Sequence, residues 1–330
     1  MVGSPYAKPH LSYESQLAQL EQRGLIISDR TLASEALRSI GYYRLSAYLH
    51  TFRKIKSERD KDFDERLDEF EPGVDFTDAY SLWKFDRDLR LVLLDGLETF
   101  ETALRASLAY WAGAQDPFIH LRPDLLSETF TETPPDVDGV PQASSYSEWL
   151  DKYDERLEGA KSEVFIRWFF HRYEGKLPIW TAVEILELGQ LVRLLRALPI
   201  SVRRNVARDF GVDTPKMFIS WASALNGLRN YCAHHARLWN RGLVNSPARP
   251  KRGQIEHLDH LQQLDQVAAR KIYSPLATLV WMLSRRSLWR DYRSRVVSVL
   301  ATFPETPYTS LSVAGFPTDW RDEDLWVQQP

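Results

Sequence analysis

In residues 77–113, apolar side chains recur at the spacing of one helical face, through Leu82, Phe85, Leu89, Leu93, Leu97, Phe100, Leu104 and Leu108. A pattern of that length and period is an amphipathic α-helix. No β-alternation of useful length, internal repeat or heptad run competes with it. The flanking signals are also helical. Ser12 can cap a helix that runs to Gly24, and Asp29 another that ends before Gly41. Residues 42–52 are aromatic and apolar at helical spacing. Residues 114–147, rich in Pro, Asp, Thr and Ser, read as a long loop. Helical periodicity resumes over 146–173 and again from Pro178 to Leu198. Ser201 is expected to cap a short helix to Phe210. Thr214-Pro215 supplies a cap and a first-turn proline for the helix that follows. Residues 246–253 form a basic, proline-broken loop, and a last long helix is expected over 274–301. The expected class is all-α. It comprises an N-terminal helical region (1–75), a main helical domain (76–303) and an irregular C-terminal tail (304–330).

The chain has 330 residues, enough for a sizeable core in one or two domains. Its one cysteine, Cys232, excludes an intrachain disulfide framework and fits a reducing cytosol. The start shows no apolar run of the signal-peptide kind, and the best apolar stretch, 276–283, is too short to span a bilayer. A cytoplasmic protein with no membrane partner is expected. The formal net charge of −3 hides an asymmetry. Residues 188–255 carry twelve Lys and Arg against two Asp, whereas residues 60–160 carry 25 acidic against nine basic residues. A basic segment suits a polyanion. It also suits charge complementarity between two halves of one protein.

The basic segment contains Arg229-Asn230-x-x-x-His234. On a helix at about 100° per residue, Trp221, Leu225, Leu228, Cys232 and Trp239 fall on one apolar stripe. Asn226, Asn230, His234, Arg237 and Arg241 fall opposite. His235 sits by the apolar stripe and reads as a packed histidine. Arg229 lies between the stripes. A cation, an amide and an imidazole are the minimal kit for cutting RNA without a metal. The imidazole moves protons near neutral pH. The guanidinium grips a phosphate and offsets its developing charge. The ribose 2′-OH supplies the nucleophile. The bland alternative is an exposed basic helix face.

Four blocks stand in order along the chain. The first is Lys8-Pro9-x-Leu11-Ser12, running on through Gly24-Leu25-x-Ile27 to Ile40-Gly41-Tyr42-Tyr43-Arg44-Leu45-Ser46. The second is Phe85-Asp86-Arg87-Asp88-Leu89-Arg90 with Glu98, Glu101 and Arg105. The third is Leu177-Pro178-x-Trp180-x-x-Val183-Glu184-x-x-x-x-Gly189. The fourth runs from Leu228 to Arg241. These blocks carry a resemblance, over about residues 8–241, to the Abi-like (abortive infection, Abi-D/Abi-F type) bacterial proteins of the HEPN ribonuclease class. It implies a HEPN-like helical bundle and a toxin-type endoribonuclease for anti-phage defence. It also implies a homodimer in which two motif helices meet, and restraint by an antitoxin or a structured RNA. The residues agree with a composite site. On one helix Arg229 and His234 stand about 140° apart, so one copy poorly surrounds a phosphate. Arg229, Asn230 and His234 are then the catalytic candidates, with no metal and no cofactor. Arg237, Arg241, Arg249, Lys251 and Arg252 are expected to hold RNA phosphates. A non-catalytic RNA-binding component and a DNA-binding helical protein remain as alternatives.

Other constellations are weaker. His257 and His260, three residues apart, read as a solvated helix face rather than a metal pair. Tyr42-Tyr43-Arg44 reads as core packing plus one cation. Asp86, Arg87, Asp88 and Arg90 invite ion pairing across to the motif helix, and Glu98 and Glu101 pairing with Arg105, four residues after Glu101. Glu184 fits equally a carboxylate orienting a catalytic group and a plain surface acid. Walker, Cys-x-x-Cys and Gly-x-Ser-x-Gly patterns are missing, and Lys–carboxylate clusters of two-metal nucleases are not evident.

Overall fold

Local capping sets the first elements. In the computed structural model, which describes residues 9–56, 66–135, 142–173 and 175–327, Ser12 accepts from the Ser15 N–H at 3.2 Å and starts α1 (Tyr13–Gln22). Asp29 accepts from Leu32 N–H at 2.9 Å and starts α2 (Arg30–Ser39). Helix α3 (Tyr42–Leu49) ends in a 3-10 turn, His50–Phe52. A short antiparallel hairpin follows, β1 (Arg53–Ile55) with β2 (Arg66–Phe70). It escapes a periodicity search because its strands are short and charged. Arg66 stitches it by donating to the carbonyls of Thr51 and Arg53 at 2.7 and 2.8 Å.

Helix α4 (Phe76–Gly113) realises the long apolar pattern, started by a capping box between Asp75 and Asp78. The expected loop that follows holds two 3-10 turns, Ile119–Leu121 and Pro123–Leu125, and the short α5 (Glu128–Thr131). The expected helix over 146–173 is two, α6 (Ser145–Gly159) and α7 (Val164–Arg172). That from Pro178 to Leu198 also breaks, into α8 (Ile179–Ala182) and α9 (Leu188–Ala197). The break is stabilised from outside: Arg105 of α4 donates to the carbonyls of Val183 and Leu186. Pro199, not Ser201, precedes α10 (Ile200–Asp209). Helix α11 (Pro215–Ala233) is the motif helix. The last expected helix is two, α12 (Tyr273–Ser284) and α13 (Tyr292–Leu300).

Helix α4 is the axis of the fold. Helices α3, α8, α10, α11, α12 and α13 all pack on it. One buried cluster runs from Leu17 to Trp326, across both expected domain boundaries. The tail is irregular but not loose: the Phe316 and Trp326 rings pack at a tilt around Tyr273. Lys8 of the first sequence block lies outside the described residues, as do parts of the expected loop and tail. Among the described residues no helix is long and apolar enough to cross a membrane.

Two features of this core make stability measurements informative. The Tyr292 hydroxyl donates to Val92 O at 3.0 Å, and its ring fills the space above Gly96. A Cβ on residue 96 would stand 2.2 Å from the Tyr292 oxygen. Gly96→Ala is therefore expected to lower stability by about 1–3 kcal/mol, read as a lower urea midpoint. An unchanged midpoint would show that the buried Tyr292 moves freely. The second feature is acid sensitivity. His120 is fully buried, and neither ring nitrogen has a hydrogen-bond partner among the described residues. Burial pushes its imidazole down to about 4, against the opposing pull of Asp116. Burial likewise lowers His260 to about 4, opposed by Asp259, Asp319 and Asp324. The unfolded chain takes up these protons near pH 6.5, the folded chain only near 4. Stability is therefore full above pH 6.5 and falls as pH drops through that window, by up to ~3 kcal/mol per histidine. Urea midpoints at pH 7.5 and 5 check this, and replacing both histidines by Phe should flatten the slope.

Candidate functional site

The motif helix buries Trp221, Leu225, Leu228 and Cys232, as its apolar stripe requires. Burial pushes the Cys232 thiol up to about 12, so it is a packing group. The helix stops earlier than the stripe suggests. Ala236 N–H reaches back to Tyr231 O at 2.9 Å and His235 N–H to Cys232 O at 3.1 Å. That pair of bonds is a Schellman ending, and His235 holds the left-handed position with φ 55°. His235 is thus an exposed turn residue, not a packed histidine. Arg237, Trp239 and Arg241 lie beyond the helix, not on it. No glycine marks this stop, which is why periodicity alone runs through it.

His234 is the C-cap residue, and its N–H donates to Asn230 O at 3.0 Å. The i+4 relation of Asn230 to His234 is kept, and both side chains are exposed. Arg229 is half-buried. Its Nε lies 3.8 Å from Glu101 Oε2 on α4, and Glu101 also pairs with Arg105 as its spacing suggested. Glu101 therefore steadies the base of the Arg229 side chain while a third of that side chain stays exposed. Glu184 is a surface acid on the 3-10 turn after α8.

Tertiary contacts hold the turn after His234 from below. The Asp86 carboxylate, fully buried on α4, accepts from Leu238 N–H at 3.0 Å, Trp239 N–H at 2.8 Å and the Tyr48 hydroxyl at 2.7 Å. It also pairs with Arg90, which donates to Ala236 O at 3.2 Å. Burial pushes this carboxyl up from its usual range, and Arg90, Tyr48 and the two N–H groups pull against it. Arg44 donates to His235 O at 3.1 Å. The Asp86–Arg90 pair is thus a clamp on the backbone beside the motif, not a bridge to motif side chains. The signal was present: Asp86 and Arg90 sit on the apolar face of α4, where a charge needs partners. Tyr43, expected in the core, is 91% exposed.

The expected RNA contacts divide. The Arg237 guanidinium is engaged by Ala47 O, and Arg249 by Leu261 O and Leu264 O at 3.2 and 2.6 Å. Arg237 thus braces the last turn of α3 and Arg249 the Leu261–Leu264 stretch, while Arg249 stays exposed. Arg241 lies over the Tyr231 ring, 4.9 Å from its centroid, and is exposed. Lys251 and Arg252 are exposed. Their loop packs at the N-terminal end of α11, with Gln254 donating to Thr214 Oγ1 at 3.4 Å and Trp221 to Ala248 O at 2.7 Å. Lys216, Arg249, Lys251 and Arg252 line a cavity of about 710 Å³ there. It lies roughly a helix length, about 28 Å, from His234. Nearer the motif, a groove of about 410 Å³ is lined by Ser223 and Asn226 of α11 together with Lys152, Arg156, Arg193 and Arg196. Among the described residues no three His, Cys, Asp or Glu side chains converge as a metal site.

A family model described as Abi-like protein matches residues 35–240. The chain belongs to that family. The match takes in the Asp86–Arg90 clamp, Glu101 and the Arg229–His234 motif of this Abi-like chain, and it ends before the Lys251–Arg252 loop. Family membership points to a role in abortive infection. No curated protein and no solved structure matches the Abi-like chain.

Proposed function

We propose that the protein is a HEPN-type, metal-independent endoribonuclease that acts as an abortive-infection effector. The observation that carries the reading is the end of α11. An exposed imidazole caps the helix, Asn230 lies one turn before it, and Glu101 steadies Arg229 beside them. His234 removes the 2′-OH proton or protonates the leaving 5′-oxygen. The 2′-oxygen bonds to phosphorus and the P–O5′ bond breaks. Arg229 offsets charge on the pentacoordinate phosphate, and Asn230 adds polar donors. The products carry a 2′,3′-cyclic phosphate and a 5′-OH. Lys251, Arg252 and Arg241 hold backbone phosphates. A homodimer that joins two such helix ends surrounds one phosphate with two Arg and two His. A nuclease of this kind must be restrained by an antitoxin or a structured RNA in a toxin-antitoxin arrangement.

The test is the chemistry of the ends. Purified protein with EDTA is expected to cut RNA and leave cyclic-phosphate and 5′-OH termini. A single 2′-deoxy substitution at the cut site should block that cut. Binding without turnover would instead assign a non-catalytic RNA-binding component, and cutting of the 2′-deoxy strand would remove the proposed nucleophile.

A further inference from the structure

A second cleft, of about 930 Å³, contains no residue of the motif helix. It opens where α4 ends, between the Asp116–Arg122 segment and helices α6 and α7. Phe118, Tyr146 and Tyr173 line it with aromatic rings, and Arg172 and Lys176 supply cations. Its lining carboxylate, Asp116, is already engaged by Arg122 at 3.3 Å and by the Phe118 N–H at 2.7 Å. Arg122 is held in turn by Asp124 at 2.9 Å. Arg172 and Lys176 make no side-chain hydrogen bond or ion pair to any described residue.

The backbone builds this arrangement. Gly175 turns the chain at φ +74°, and the Phe170 ring stands 3.1 Å from where a Cβ would project. Leu177 is then buried, and Ile179 N–H donates to Pro117 O at 2.7 Å. The chain after α7 is thereby returned to the Phe118 side of the cleft, carrying Lys176 with it. Helix α7 extends the same chemistry outward. Its exposed Phe165, Trp168 and Phe170 alternate with Arg167, His171 and Arg172, and no carboxylate lies on it.

Rings interleaved with cations that have no partner among the described residues, around a concave cleft, match one ligand well. A nucleotide brings a planar base for the rings and an anionic phosphate for the cations. An acidic protein surface would pair the cations but leave the cleft between the rings unfilled. We propose that this cleft binds one nucleotide of single-stranded RNA, its base stacked on the aromatic wall and its phosphate held by Arg172 and Lys176. Helix α6 separates it from the groove beside Asn226, since its Tyr146 and Leu150 line the one and its Lys152 and Arg156 the other. The site shares only its ligand class with the nuclease reading and needs no cleavage.

The test is anisotropy of a labelled, uncleavable 2′-O-methyl RNA strand with the full chain. Arg172→Gln with Lys176→Gln should raise Kd about tenfold and flatten the log–log salt slope by about one unit. Tyr173→Leu should raise Kd about fivefold or more, and Tyr173→Phe should restore it. All these positions are exposed, so unchanged melting temperatures confirm folding. Displacement by millimolar AMP would show that a free nucleotide also satisfies the site, and failure of AMP to compete would restrict it to a strand. Either result accompanies support. Unchanged affinity and salt slope in the double variant would overturn the proposal. So would a shift from dimer to monomer at constant RNA affinity, which would make α7 a protein interface. Absence of cleavage by the native protein, with these binding changes observed, would count against the nuclease reading alone.

Discussion

Asp86→Ala is expected to destabilise the protein by about 3–5 kcal/mol. The carboxylate is completely buried and satisfies four groups at once: Tyr48, Arg90 and the N–H groups of Leu238 and Trp239. Removing it leaves a buried guanidinium without its counter-charge and two buried amides without an acceptor. Asp86→Asn keeps one acceptor oxygen but turns an NH2 toward groups that are themselves donors, so it should fall between Ala and the native residue. The loss should be local first. Hydrogen exchange at Leu238 and Trp239 should accelerate before the rest of the core opens. Asp88, half-buried and paired at the surface with the exposed Lys84 and Arg87, is the control, and Asp88→Ala should cost under about 1 kcal/mol. Equal urea midpoints for Asp86→Ala and Asp88→Ala would mean that the clamp carries no stability.

His234→Ala is expected to lower RNA cleavage by about 10²–10⁴-fold while leaving the melting temperature in place. The side chain is exposed at the C-cap, and its backbone bond to Asn230 survives truncation. Arg229→Lys should be nearly as damaging as Arg229→Ala, because Lys keeps the charge but loses the planar two-donor fork. The two inactive chains also test the composite site. In a dimer whose cleft draws on both copies, mixing His234→Ala with Arg229→Ala yields mixed dimers with one intact imidazole and one intact guanidinium. Such a mixture should regain activity that neither variant has. A wild-type protein that cleaves RNA as a monomer by light scattering would remove the twofold arrangement.

The one-dimensional pattern decided much of this protein. The long apolar face of α4, the caps at Ser12 and Asp29, and the apolar stripe Trp221–Leu225–Leu228–Cys232 are local signals, and each formed where its spacing said. The Arg229–His234 motif was legible for the same reason, being a fixed spacing on one element. What the sequence left open was set by groups far apart in the chain. Arg105 stabilises the break between α8 and α9 by donating to carbonyls some eighty residues away. The left-handed His235 ends α11 without a glycine to announce it, and Asp86 and Arg44 hold that ending in place. Arg237 and Arg249 look like their neighbours in sequence, yet they serve the protein's own carbonyls. Charge and period are properties of a chain, but whether a given cation faces solvent or a buried backbone oxygen is decided only when distant segments meet.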